Sequence, residues 1–436
     1  MLDINYIRAN KQKVIDATQN KALDPSLVDQ VLTLDDTRRD LLQKVDALRA
    51  ERNQNAEAMK STGGQPDQAL IDRGKQIKVE LAKFEPQLEA AEDDYLKILK
   101  QIPNVPLDGV PVGLSEEENV VVEIIGEPTK FDFEPKNHYE IAMERGWLDK
   151  ERAAKVAGAR FAYIMGDMVK LQFAIVNFVI DTLTDEQKIK EIADKAGLEG
   201  ISTKPFIPVL PPYMIKTSLY DAMDRLEPRD DRYKIEGDDL WLQGSAEHVL
   251  GSMHQGEIFS ETDLPLRYLG YATSFRQEAG TYGKDMEGII RMHQFDKLEM
   301  ESFTTAEDGL REHYLFVAFQ RYFLDQLELP YQVLEKCTYD IGKPNARGID
   351  MEVFLPGQAK YRETHTADYM TDYQARRLKT RVRRQDNSLE LVHTNDATAF
   401  ALGRIMIAII ENYQTAEGKI TIPDCLRPYL HDRETL

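Results

Sequence analysis

The chain is 436 residues long, with 55 Lys+Arg against 75 Asp+Glu and a formal net charge of −20. Hydrophobic residues make up 42% and charged residues 30%, enough for a large core and too apolar for wholesale disorder, and the length suggests two or three domains. The acidity excludes a protein that coats nucleic acid by bulk charge, though not one with a local basic face, and only two cysteines, Cys337 and Cys425, exclude a disulfide framework or a four-cysteine zinc site.

The N-terminus carries charges where a signal peptide needs an apolar stretch. The most apolar segments, 173–183 and 400–410, are too short to span a bilayer, and Arg404 interrupts the second. The expectation is a soluble, cytoplasmic protein without a membrane segment.

Leu27, Val31, Leu34, Leu41, Val45 and Leu48 follow an alternating four-three spacing, with Arg38 and Arg52 on the same seam. A second run, from Leu70 through Ile77, Leu81, Phe84, Leu88, Ala91, Tyr95 and Ile98 to Ile102, repeats it, with Gly74 as a weak point. Heptads sustained this long predict a coiled coil. A turn signal at 61–67 predicts that the two helices fold back antiparallel, each reaching about 50 Å. Pro86 predicts a kink. A structural or dimerising coil is the plainer reading. Arg49, Arg52, Lys60, Arg73, Lys75 and Lys78 could instead grip an elongated anion. Pro103, Pro106 and Pro111 mark a boundary, giving an arm domain at 1–103 and a second domain at 104–436.

Beyond it, 120–125 is predicted as a strand, 169–183 as an apolar helix, 266–275 and 289–300 as strands, and 403–414 as an apolar helix. The strands lack regular βαβ spacing, so an α+β fold on an antiparallel sheet is expected. No phosphate-loop, dinucleotide, nucleophile-elbow or zinc-helix motif occurs. The eight histidines are scattered, and His248, His254 and His293 read as surface or core residues rather than a metal site.

One stretch converges. Arg276 and Glu278 stand two apart at the end of an apolar strand, and Arg291, Phe295 and Glu299 recur every fourth residue on the returning one. Each spacing keeps one face, so Arg, Glu, Arg, Phe and Glu meet on one surface. The bland alternative is a solvated hairpin of paired charges.

The string Phe275-Arg276-Gln277-Glu278, its loop, and Arg291 to Phe295 resemble motif 2 of the class II aminoacyl-tRNA synthetases, and specifically that of the seryl-tRNA synthetases. The resemblance spans nearly the whole chain. The N-terminal hairpin resembles that family's tRNA-binding arm. Gly158 to Phe161 and Leu210 to Tyr213 resemble its motif 1 region, and Asp372 to Arg377 its segment between motifs. Ala401 to Arg404, with 411–414 and 426–430, resembles motif 3 and the C-terminal end.

The resemblance implies a class II antiparallel sheet flanked by helices, and a homodimer. The implied reaction is ATP-dependent activation of L-serine, followed by transfer to tRNA(Ser), with tRNA(Sec) left open as a second acceptor. Arg276 would bridge the substrate carboxylate and the α-phosphate, Glu278 receive the adenine amino group, Phe295 stack on adenine, and Arg404 hold the γ-phosphate. Gln277 belongs to the same ATP-binding set. Mg2+ would sit on Glu363 and Thr366. The family's Glu-Ile-Ser-Ser segment is here Glu363-Thr364-His365-Thr366, so Thr364 and His365 fall in the nucleotide site. Serine would be held by Ser245, Ala246, Glu247, Arg276, Glu299 and Thr398; Ser245-Ala246-Glu247 stands for the family's Thr-x-Glu, and Asp396-Ala397-Thr398 for its Asn-Gly-Ser. Glu287 reverses a charge in the motif 2 loop, and the run from Arg376 to Arg384 could supply positive charge nearby or be a solvated face. Two further readings remain: a paralogue that loads a small amino acid onto a carrier protein, and a catalytically dead tRNA-binding protein. The long arm argues against the first, and joint retention of Arg276, Glu278, Phe295, Glu363 and Arg404 against the second.

Overall fold

A computed structural model describes residues 1–61, 67–279 and 288–436. The chain divides into two compact units, Met1–Val105 and Pro106–Leu436.

In the first unit, α1 (Ser26–Ser61) and α2 (Gln68–Leu99) pair along their lengths. Val45, Leu48, Ile77, Leu81 and Leu88 form the buried seam, with Leu41, Leu42 and Phe84 packed against it. The polar contacts fix the direction. Arg38 stacks 4.9 Å from the Tyr95 ring centroid, Arg49 pairs with Glu85 at 2.9 Å, and Arg73 with Glu51 at 2.6 Å. Partner numbers fall along α2 as they rise along α1, so the helices are antiparallel. Asp67 caps α2 by accepting from the Ala69 amide at 2.9 Å. Residues 62–66 of the predicted turn lie outside the described residues. At Gly74 a Cβ would meet Asn55 Nδ2 at 3.1 Å, and that amide donates to the Leu70 carbonyl at 2.9 Å. The gap in the apolar spacing is thus a polar cross-link between the helices. Pro86 does not end α2, which runs through it. The proline lies on an exposed face, where water can take the carbonyl left without a partner.

The second unit is built on an eight-stranded sheet. Its strands are β1 (Val120–Ile125), β2 (Ile207–Val209), β3 (Leu266–Phe275), β4 (Gln294–Thr304), β5 (Tyr331–Glu335), β6 (Arg347–Leu355), β7 (Lys360–Thr371) and β8 (His393–Ala401). The spatial order is β1-β5-β6-β7-β8-β4-β3-β2. Every neighbouring pair is antiparallel except β2 with β3. Helices α3 (Asp167–Leu183), α4 (Gly309–Gln326) and α5 (Leu402–Asn412) bury Leu171, Ile175, Phe316, Phe319, Phe323 and Ile405 in one core with the sheet. The predicted strand 289–300 starts later, at Gln294. Ile289 and Met292 are apolar because they plug the core from the connecting segment, only 4% and 7% exposed.

The ladder is not regular throughout. The register of β8 against β4 shifts between Thr398 and Phe400. Gln320 of α4 then donates to the carbonyls of Thr366 and Thr398 at 2.8 and 2.9 Å, satisfying groups the bulge sets apart. Beneath β3, Arg267 and Glu312 form a fully buried bidentate pair at 2.6 and 2.8 Å, and the Arg267 guanidinium also reaches the carbonyls of Ser202 and Lys204.

Candidate active site

Strands β3, β4, β7 and β8 and the start of α5 surround a cavity of about 360 Å³. On one side it is lined by Arg276, Glu278, Arg291, Phe295, Glu363 and Arg404; deeper in, by Glu247, Lys297, Glu299, Thr398, Asp396 and Arg225.

Arg276 lies just past β3. Its Nε donates to the Gly244 carbonyl at 3.0 Å, and its guanidinium stands 5.3 Å from the Phe295 ring centroid. His293 brackets its backbone: the Arg276 amide donates to the His293 carbonyl at 3.0 Å, and His293 Nδ1 lies 2.9 Å from the Arg276 carbonyl. Glu278 does not continue the strand alternation. It adopts φ +54°, a left-handed conformation, and that turn carries its carboxylate to Arg291 at 2.5 Å. Across the cavity Arg404 donates to the Glu363 carbonyl at 2.9 Å and to its carboxylate at 3.0 Å. Desolvation works to raise the Glu363 carboxyl; Arg404, Lys336 and Arg276 outweigh it and hold the group below its ordinary value.

The deeper part is a knot of buried charge. Lys297 Nζ donates to Ser245 Oγ at 3.0 Å, lies 3.9 Å from Glu247 and makes a close ion pair with Glu299. Burial opposes the Lys297 charge, but Glu299 and Glu247 keep its pKa above the ordinary lysine value. Burial raises the Glu299 carboxyl well above its usual range, against the pull of Lys297. Asp396 is pushed up by burial to about 7, against the pull of Arg225.

These are groups suited to holding two anions together while gripping a small polar body. Guanidinium forks match phosphate and carboxylate oxygens, an aromatic face suits a base, and a buried ammonium–carboxylate pocket suits a zwitterion. Comparison with known proteins agrees. Residues 1–106 match the seryl-tRNA synthetase N-terminal domain, and 232–413 the tRNA synthetase class II core domain (G, H, P, S and T). The chain is 38% identical over 435 residues to the serine–tRNA ligase of Petrotoga mobilis, covering 99% of both chains. It is 39% identical over 443 residues to that of Methanocella arvoryzae, covering all of both. The chain belongs to the seryl-tRNA synthetase family. A crystal structure of seryl-tRNA synthetase from Pyrococcus horikoshii complexed with ATP superposes with a TM-score of 0.88 at 33% identity, covering 100% of this chain and 99% of that one.

Set beside the motif-based expectations, the cavity collects Arg276, Glu278, Phe295, Glu363, Thr364, Thr366, Arg404, Glu247, Glu299 and Thr398. Four named residues sit elsewhere. Gln277 turns away: its amide donates to the Asp231 carbonyl at 3.0 Å and its side chain to that of Arg232 at 2.7 Å. His365 is fully buried behind the cavity, 5.1 Å from the Phe400 ring, and burial holds its pKa to about 3, so it is neutral. The cause is a bulge: Met351 pairs with His365 but Glu352 with Glu363, so Thr364 is the extra residue that rotates Glu363 to the cavity side. The hydroxyl of Thr364 is spent on the Met351 carbonyl at 3.2 Å and His365 Nδ1 at 2.8 Å. Ser245 and Ala246 are fully buried; Ser245 Oγ accepts from Lys297, and Ala246 packs with Leu250 and Phe303.

Lys297 and Arg225 escaped the motif reading. Lys297 was legible, because period two from Phe295 to Glu299 passes through it. Arg225 lies in the connection after the helix Thr217–Ala222 and carries no periodic signal. His248 is buried, accepts the Gly244 amide at 3.2 Å and is held by burial to about 3. No cluster suited to a metal built from His, Cys, Asp and Glu alone occurs among the described residues, and no described helix is long and apolar enough to cross a membrane. Half of the basic run has acidic partners, Arg376 in Asp372, Arg377 in Asp224, and Arg384 in Glu307 and Glu261, whereas Lys379, Arg381 and Arg383 make no ion pair among the described residues. Glu287 lies outside the described residues.

Proposed function

We propose that the chain is a serine–tRNA ligase that forms seryl-adenylate from L-serine and ATP and passes the seryl group to tRNA(Ser). The observation that carries this is the convergence of Arg276, Phe295, Glu363 and Arg404 on one cavity beside the Lys297–Glu299–Glu247 knot. In this reading the serine carboxylate attacks the α-phosphorus and pyrophosphate leaves. Arg276 contacts both anions, and its guanidinium is already fixed by Gly244 and Phe295. The adenine ring stacks on Phe295, its amino group facing Glu278, which Arg291 orients. Arg404 takes the γ-phosphate. Glu247 receives the ammonium and Glu299 the side-chain hydroxyl, with Lys297 between them to balance their charge. The residues fit Mg2+: Thr366 Oγ1 lies 3.5 Å from Glu363 Oε1, two hard oxygens on the cavity wall next to where phosphates would lie. Bound there, the ion would neutralise phosphate charge.

The arm is the second contact for tRNA. Arg49, Arg73 and Lys75 have acidic partners, whereas Arg52, Lys60 and Lys78 make no ion pair among the described residues and are the cations to meet a phosphate backbone. A cytoplasmic homodimer completes the reading. Support comes from the sheet-edge segment at β2, where Ile207, Leu210, Tyr213 and Met214 are all exposed. The carrier-loading alternative loses ground to the N-terminal domain match, and the inactive alternative to the assembled cavity. Pyrophosphate exchange with each amino acid, then charging of tRNA(Ser), tests the proposal. Serine-dependent exchange and charging are expected; no exchange with any amino acid would reject it. Light scattering at micromolar concentration tests the dimer.

A further inference from the structure

Three carboxylates stand in one row across neighbouring strands: Asp368 of β7 pairs with Asp396 of β8, and Asp396 with Glu301 of β4. Adjacent strands lie about 4.8 Å apart, so like charges in such a row repel strongly out of water. Glu301 is fully buried, and neither of its carboxyl oxygens has a hydrogen-bond partner. One guanidinium serves the row. Arg225 Nη2 lies 3.4 Å from Asp396, 4.0 Å from Asp368 and 3.3 Å from the Asn345 side-chain oxygen. Its position is anchored next door, where Asp224 pairs with Lys343 at 2.7 Å and Arg377 at 2.9 Å. All three contacts use Nη2. Nε has no partner, and the side chain, 18% exposed, lines the cavity with Nη1 donors to spare. The next row on the same face of the sheet, two residues along, is Thr398 opposite Glu299, so Arg225 sits beside the residues assigned to serine.

A side-chain hydroxyl has one proton to donate and two lone pairs to accept with. Glu299 can take the proton; the lone pairs need a donor. We propose that Arg225 is a specificity-determining residue of the amino-acid subsite: held on its floor by Asp396 and Asp368, it donates to a side-chain hydroxyl and repels a cationic side chain. The inference rests on the serine-activating reading above.

The test is pyrophosphate exchange by the full-length chain with serine, alanine and 2,3-diaminopropionate, the last being serine with an ammonium in place of its hydroxyl. Arg225→Leu alone would strand the carboxylates, so it is paired as Arg225→Leu/Asp396→Asn, with Asp396→Asn as control and thermal melts to verify folding. The double variant should raise the serine KM more than it lowers kcat. It should cut the serine-over-alanine preference by on the order of tenfold to a hundredfold relative to the control, the loss expected for a hydrogen bond to a charged group. Arg225→Gln keeps donors without charge: serine should stay preferred over alanine while diaminopropionate gains. Arg225→Lys keeps the charge, and diaminopropionate should stay excluded. Serine-dependent exchange with all ratios within about threefold of wild type would overturn the role of Arg225. Should the double variant not fold, the Gln and Lys variants decide, and gain of diaminopropionate in Lys but not Gln overturns it. Wild-type exchange that ignores serine would instead sink the reading on which it rests.

Discussion

The two units are held together by different means. In the arm, a thin seam of Val45, Leu48, Ile77, Leu81 and Leu88 is flanked by exposed ion pairs such as Arg73–Glu51, whose side chains are 37% and 41% exposed. The second unit has exposed pairs of the same kind, but it also holds ion pairs inside: Arg267–Glu312 is 0% and 1% exposed, and Lys297 and Glu299 are 11% and 2% exposed. Water screens the first kind, so its pairs set alignment and contribute little energy. The second kind is surrounded by protein, and removing one partner leaves an uncompensated charge. Exposed pairs such as Arg73–Glu51 therefore tolerate change, whereas the enclosed Arg267–Glu312 pair has little slack.

The largest expected effects test whether function divides along the same line. Arg276→Ala should lower pyrophosphate exchange by about a thousandfold or more with the melting temperature little changed; near-normal exchange would remove it from the chemistry. Deleting 27–102 should leave exchange close to wild type but lower the charging kcat/KM by roughly a hundredfold to ten-thousandfold, since two contact regions on one tRNA act with an effective concentration that a single region lacks. Normal charging by the truncated chain would detach the arm from tRNA binding.

Stability comes next. Glu312→Ala should cost about 3–5 kcal/mol in denaturant unfolding, because Arg267 would stay buried without its counter-charge. Glu51→Ala in the arm should shift the melting midpoint by less than about 2 °C. Comparable losses at the two sites would erase the contrast.

A smaller effect depends on pH. Asp167, bonded to Arg433 at 3.0 and 3.1 Å, is held down at about 2. A depressed carboxyl stabilises the fold above its unfolded value near 3.9, and that contribution disappears as pH falls toward 2. The stability gap between wild type and Asp167→Asn should be about 1 kcal/mol at pH 7 and close between roughly pH 4 and 2. A gap independent of pH would mean the pair contributes by packing alone.

Much of the fold was legible because its signals are local. Four-three spacing located both arm helices, and apolar runs located β1 and β3 to the residue and α3 and α5 within two. Strand β4 was placed too early because core-plugging residues before it, Ile289 and Met292, are as apolar as strand residues. Within the site, the cavity collects most of the residues that resemblance named, whereas the His365 side chain lies behind it because one extra residue in a ladder reverses which side chains face inward.

From residue order alone came the coiled arm and the antiparallel sheet, because periodicity acts over a few residues, and, through resemblance of whole motifs, the seryl-tRNA synthetase family and most of the residues that line the cavity. The tertiary structure alone decided which charges meet: that Glu278 turns to Arg291, that Lys297 stands between Glu247 and Glu299, and that Arg225 reaches Asp396 from a loop 171 residues away in the chain. Burial gives such encounters their energy, and burial depends on segments that only folding brings together.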